Sequence, residues 1–124
     1  MIPKRLTDLV LSRDGNVCQL NLPGCTYTAT VADHRANRGM GGSSVLDNAV
    51  NLVAACGLCN GLKETVSGPV LDELKRRGLR LARAGTNAQT LLYASDSFVQ
   101  YRGGDWYRLD TTGGRQIIRK VNQL

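Results

Sequence analysis

An α+β fold is predicted by three observations. Residues 3–13 carry Leu6, Leu9 and Val10 at helical spacing, and a second apolar face of the same period, Val70, Leu71, Leu74 and Leu81, runs through residues 70–83. Short alternating segments near the C-terminus are separated by the glycine pairs Gly103-Gly104 and Gly113-Gly114, the pattern of a small antiparallel meander. Between these regions the four cysteines fall as Cys18 and Cys25, then Cys56 and Cys59, with the sole histidine, His34, between the pairs. Cys56-Gly57-Leu58-Cys59 is a CxxC knuckle whose thiolates converge on one Zn²⁺ from a tight turn. Asn21-Leu22-Pro23-Gly24 is a turn that brings Cys18 and Cys25 together as the second pair.

The elements follow in chain order. The first helix stops at Asp14-Gly15-Asn16. Residues 26–33, rich in β-branched side chains, read as a strand ending at Asp33-His34. Residues 35–44 hold Gly39, Gly41 and Gly42 and read as a loop. Residues 45–55 read as a turn and a short strand, and residues 56–65 as the knuckle running into a helix. Ser67-Gly68-Pro69 breaks that helix, and Pro69 suits the first turn of the next. Lys75, Arg76, Arg77, Arg80 and Arg83 make this helix, residues 70–83, strongly basic. After a polar link at 85–89, strands are expected at 97–101, 105–109 and 116–121. The chain thus divides into 1–66, the zinc-braced core, and 67–124, a basic helix and β extension packed on it as one compact unit.

A chain of 124 residues has room for one core, and its low aromatic share of 5% makes that core thin. A structural metal compensates for such a deficit. No apolar run is long enough to span a bilayer, and no N-terminal secretion signal is recognisable, so a cytoplasmic location with reduced thiols is expected. Disulfides and a redox CxxC are the competing readings; the second would need a βαβ pattern, and none is seen. The net charge of +6 is concentrated in residues 63–124, where eleven basic residues face six acidic ones. That balance suits a polyanion such as nucleic acid, against the plainer reading of a solvated charged face.

Candidate chemistry centres on Asp33, His34, Asn51 and Asn60. His34 has the unperturbed pKa closest to neutrality and is the natural general base. A carboxylate with an amide oxygen, Asp33 with Asn60, suits a hard cation that keeps waters and takes a phosphate oxygen. Neighbours on a strand point to opposite faces, so Asp33 and His34 serve one site only where the strand twists or ends.

The run Arg13-Asp14-Gly15-Asn16-Val17-Cys18, then Asp33-His34, Arg38-Gly39-Met40-Gly41-Gly42, Asn51-Leu52 and Cys56-Gly57-Leu58-Cys59-Asn60-Gly61-Leu62-Lys63 resembles the HNH endonuclease family over roughly residues 5–65. The resemblance implies a ββα-metal core, two strands and a helix clasping one divalent cation, here braced by zinc on Cys18, Cys25, Cys56 and Cys59. It implies Asp33 as the metal-binding acid, His34 as the base, Asn51 as the residue that orients the base and steadies the loop, and Asn60 as the last ligand to Mg²⁺ or Mn²⁺. Asn48 is a rival for the middle position, at a poorer spacing. Where the family has an apolar residue and a proline after the Asp-His pair, this chain has Arg35-Ala36-Asn37, which turns Arg35 toward DNA phosphates. Arg35, Arg38, Lys63, Arg76, Arg77 and Arg80 are the expected nucleic-acid contacts. The implied activity is hydrolysis of a DNA phosphodiester to 5′-phosphate and 3′-hydroxyl ends, by a monomer or weak dimer that nicks. Small basic members resemble bacteriophage proteins, some acting in packaging beside a terminase. The alternative class is a zinc-structured nucleic-acid-binding or assembly module that does not cut.

Overall fold

A computed structural model describes residues 1–39 and 44–121. Helix α1, Lys4–Arg13, is followed by strand β1, Val31–His34. Two single 3-10 turns, Ser44–Leu46 and Ala49–Asn51, lead into β2, Leu52–Ala55, and then α2, Gly57–Leu62. Helices α3, Gly68–Arg76, and α4, Asn87–Asp96, precede β3, Val99–Gln100, β4, Trp106–Leu109, and β5, Arg115–Arg119. The result is a mixed α+β fold with two small antiparallel sheets, β1-β2 and β3-β4-β5. Met40, Gly41 and Gly42 of the expected glycine loop lie outside the described residues.

Strand β1 pairs with β2 in the register Val31↔Ala55, Ala32↔Ala54, Asp33↔Val53 and His34↔Leu52. Alternation therefore sends Ala32, His34 and Leu52 to one face and Asp33, Val53 and Ala55 to the other. The first face meets α1, where Val10 packs with Ala32 and Leu52. The second joins a larger core that draws Cys18, Leu20 and Val53 together with Leu74, Leu79, Val99, Tyr101 and Leu109. Residues from both halves of the sequence thus share one apolar interior.

Asp14, 4% exposed, ties α1 to both sheets. Its carboxylate accepts from Arg13 Nε at 2.8 Å, from the Ala54 amide at 2.9 Å and from the Tyr101 hydroxyl. Arg13 continues the link by donating to the carbonyls of Ala49 and Leu52 at 2.8 and 2.6 Å. The Arg13-Asp14-Gly15 segment is thereby given a structural role at the base of β2.

Three elements differ from the sequence expectation. The strand expected over 26–33 begins only at Val31, because Tyr27 takes a left-handed φ of 70° and the preceding segment bends around the cysteines. The basic helix expected over 70–83 stops at Arg76. There the Gly78 amide donates to the Lys75 carbonyl at 3.1 Å and the Leu79 amide to Leu74 at 2.9 Å, a Schellman closure with Gly78 at φ 72°. Only glycine fits that place, since a Cβ would meet the Phe98 carbonyl oxygen at 2.2 Å. Helix α4 was not expected at all, and it begins inside the segment read as a polar link; Thr86 and Gln89 form a reciprocal capping box at its start.

Candidate metal centre and acid-base site

Cys18, Cys56 and Cys59 are buried and Cys25 is partly so; their four sulfurs lie within 4.8 Å of one another. Tetrahedral zinc with Zn–S near 2.3 Å needs sulfurs about 3.8 Å apart, and Cys25 and Cys56 stand 3.9 Å apart. That separation is far beyond a disulfide bond of about 2.05 Å, and all four thiols are free. The soft, closed sulfur set therefore fits one zinc ion. The Cys59 amide donates to the Cys56 sulfur at 3.4 Å as α2 begins. The Tyr27 amide at 3.4 Å and Arg102 Nη1 at 3.3 Å do the same for Cys25. Burial works against ionisation throughout. Thr26 and the Cys59 amide overcome it at Cys56, bringing that thiol down to about 6, and Arg102 and the Tyr27 amide do so at Cys25. Burial prevails at Cys18 and Cys59, which are pushed up.

Asp33 and Lys63 form a second centre one turn further along. Lys63 follows α2 as its C-cap and is 1% exposed. Its ammonium donates to Asp33 Oδ2 at 2.6 Å and to the His34 carbonyl. Burial pushes the Asp33 carboxyl up and the Lys63 ammonium down, each opposed by the other's charge. Lys63, expected as a phosphate contact, is thus spent inside the protein. Asn60 lies three residues before Lys63, on the same side of α2, and is exposed. Among the described residues nothing bonds to Asp33 Oδ1 or to the side-chain amide of Asn60, whose backbone N–H donates to the Cys56 carbonyl at 3.0 Å. These two oxygen donors are the ones expected to hold Mg²⁺ or Mn²⁺, and the other Asp33 carboxylate oxygen is already held by Lys63.

His34 leaves the opposite face of β1. Its Nε2 lies 2.7 Å from Asp47 Oδ1, and the Asp47 side chain is only 5% exposed. A carboxylate accepts and does not donate, so Nε2 carries a proton, and in the neutral imidazole Nδ1 is the acceptor. Arg38 Nη1 holds the other Asp47 oxygen at 3.2 Å, so Arg38 pairs with a carboxylate instead of standing free for DNA. Asp47 was not anticipated. It sits in an irregular stretch, and no local pattern in the sequence marks a partner thirteen positions from His34.

Asn51 is fully buried and braces the chain after His34. Its Oδ1 accepts from the Ala36 amide at 2.8 Å, while Nδ2 donates to the carbonyls of Ala36 and Leu46 at 3.0 and 3.1 Å. Asn48 caps the 3-10 turn by accepting from the Val50 amide at 3.1 Å.

The remaining basic residues need correction. Arg35 is 0% exposed and points inward, donating to the carbonyls of Gly78, Val50, Ala94, Ser97 and Phe98. Burial pulls its guanidinium down to about 10, so it stays charged near neutrality. Arg77 is likewise buried, on the carbonyls of Gln19, Leu20 and Gln100. Arg76 is exposed but pairs with Glu73 at 2.6 Å, and Arg80 pairs with Glu64 at 3.2 Å. Neither Arg35, Arg77 nor Lys63 can meet a phosphate without unfolding its surroundings.

Fold and site together define a small α+β protein with a four-cysteine cluster that fits a zinc ion. No known family model matches the chain, and no solved structure matches it. A relative is the Gene 4 protein of Mycobacterium phage L5, 40% identical over 74 residues, which cover 60% of this chain and 65% of that protein. The endonuclease resemblance therefore stands on the residues themselves. Among the described residues no helix is long and apolar enough to cross a membrane.

Proposed function

We propose that the protein is a metal-dependent DNA endonuclease of the HNH type, encoded by a phage and acting in DNA packaging or processing. The observation that carries the reading is the β1-β2-α2 unit, where Asp33 faces the helix that bears Asn60 while the next residue, His34, is held by a buried carboxylate. His34 Nδ1 takes the proton from the attacking water. Asp47 accepts from Nε2–H and stabilises the charge that the imidazole gains. Asn51 keeps the segment beyond His34 in place through the N–H and the carbonyl of Ala36. Lys63 offsets the Asp33 charge in its buried position. Held by Asp33 and Asn60, Mg²⁺ or Mn²⁺ would neutralise charge on the phosphate and the departing 3′ oxygen. The zinc centre anchors the start of α2, and so the turn that carries Asn60. The phage relative supports the origin, while its printed name says nothing of activity.

The test is conversion of supercoiled plasmid by zinc-loaded protein with Mg²⁺, Mn²⁺ or no added divalent cation. Cation-dependent nicking that disappears in His34→Ala, with DNA binding retained, is expected. Nicking that survives in His34→Ala removes His34 from the base role. Binding without nicking under every cation moves the protein to the class of zinc-structured binding modules.

A further inference from the structure

Three of the six expected DNA contacts are buried, yet an accessible cationic groove of about 600 Å³ opens close by. Lys75, Arg80 and Arg83 line it with Asn37 and Tyr93, and no carboxylate does. Lys75 is exposed, and its ammonium bonds to none of the described residues. Arg83 donates only to neutral oxygens, the carbonyls of Asn37 and Arg38 and Asn87 Oδ1, so its charge is left uncancelled. Arg80 has Glu64 at 3.2 Å, but that carboxylate is half exposed and its hold is weak. Tyr93, on α4, is 49% exposed. Cations beside an open aromatic face match a strand whose phosphates and base faces are both available. A duplex hides its base faces, so the fit is to a single strand.

The groove is joined to His34 through the backbone. Leu81, in its wall, bridges Ala36 in parallel, and its amide donates to the Arg35 carbonyl at 2.8 Å. Arg83 grips the carbonyls of Asn37 and Arg38, and Gly39 leaves it room, since a Cβ there would meet Nη1 at 2.6 Å. We infer that this groove holds a single-stranded DNA segment, with phosphates on Lys75, Arg80 and Arg83 and a base stacked on Tyr93. The inference rests on the endonuclease reading only in taking that strand to continue toward His34.

The test is fluorescence anisotropy of a labelled oligothymidylate with zinc-loaded His34→Ala protein, without added Mg²⁺, across a salt series. The triple variant Lys75→Ala, Arg80→Ala, Arg83→Ala should lower the slope of log K against log salt by about 2, at roughly 0.7 per phosphate contact. Tyr93→Ala should weaken binding roughly tenfold and Tyr93→Phe should not. Circular dichroism and zinc content confirm that each variant is folded. An unchanged slope in the folded triple variant overturns the groove, as does tighter binding of a duplex that is indifferent to Tyr93. Failure of the protein with His34 intact to nick plasmid under any cation, while these binding shifts hold, would sink the endonuclease reading and leave the groove standing.

Discussion

Arg35 gives the sharpest stability test, because the structure and the sequence expectation assign it opposite places. Replacing it with Met keeps the length and removes five donated hydrogen bonds. The carbonyls of Ser97 and Phe98 are partly buried and can turn to water, and the Ala94 carbonyl also accepts from the Ser97 amide at 3.3 Å. The buried carbonyls of Gly78 and Val50 lose their side-chain donor, at roughly 1–3 kcal/mol each. Gaps around an unbranched side chain add to this, and relief from burying a cation subtracts. The balance is a loss of about 4 kcal/mol, within the range for breaking a buried charged contact. For a domain of this size that corresponds to a fall in melting temperature of about 15 °C. Arg35→Lys keeps the charge but not the planar fork and should lose about half as much. Urea unfolding of the zinc-loaded proteins, followed by circular dichroism, measures both. A loss below about 1 kcal/mol in Arg35→Met, with weakened DNA binding instead, would refute the inward placement.

Three further outcomes follow from the metal and ion-pair geometry. Cys56→Ser, or chelation of the parent, should remove zinc and cooperative folding together; a folded, metal-free variant would contradict a structural site. Zinc affinity should also fall as pH is lowered, since protons compete for the thiolates; isothermal titration over a pH series would show it. Lys63→Met should raise the Asp33 carboxyl further. The folded value already lies above the unfolded one, so the folded state binds the extra proton. The damage should therefore be greatest at neutral pH and shrink as pH falls toward the raised value, and adding Asp33→Asn should recover much of it. Equal losses at pH 5 and pH 7 would show that the two side chains are not coupled.

The parts legible in the sequence are those with a local cause. Leu6 and Val10 announce α1, glycine pairs announce the meander, and the cysteine spacing announces the cluster. Helix α4 is obscure because its buried residues are Thr90 and Ala94, while Leu92 and Tyr93 face outward. Its polarity pattern is thus inverted, and only the Thr86 and Gln89 cap betrays it. The overlong α3 has the opposite cause. Leu79 and Leu81 continue a helical spacing, but Leu79 belongs to the Schellman turn and Leu81 to the bridge with Ala36. Charge counting misplaced Arg35, Lys63 and Arg77 because a cation hydrogen-bonded to carbonyls or a carboxylate looks the same in sequence as one in water.

Those misplaced cations explain why the C-terminal half is needed beside a site built mainly from the first half. Arg35 follows His34 directly, and its guanidinium is held by carbonyls from Gly78, from the end of α4 and from the segment before β3. Arg77 reaches back to Gln19 and Leu20 beside Cys18, and Arg102 touches the sulfur of Cys25. The strand bearing His34 and the loop bearing the first cysteine pair are thus both pinned from the later segments. A fragment ending near residue 66 would keep all four cysteines and the Asp33–Lys63 pair but expose the charge of Arg35 without its carbonyls. A zinc ion on the cysteines would not replace those contacts, because the cluster joins the first cysteine loop to α2 and does not include the segment after His34. Closure of the four-cysteine cluster and placement of His34 are therefore separable in this fold, the first set by sulfur spacing and the second by the buried Arg35.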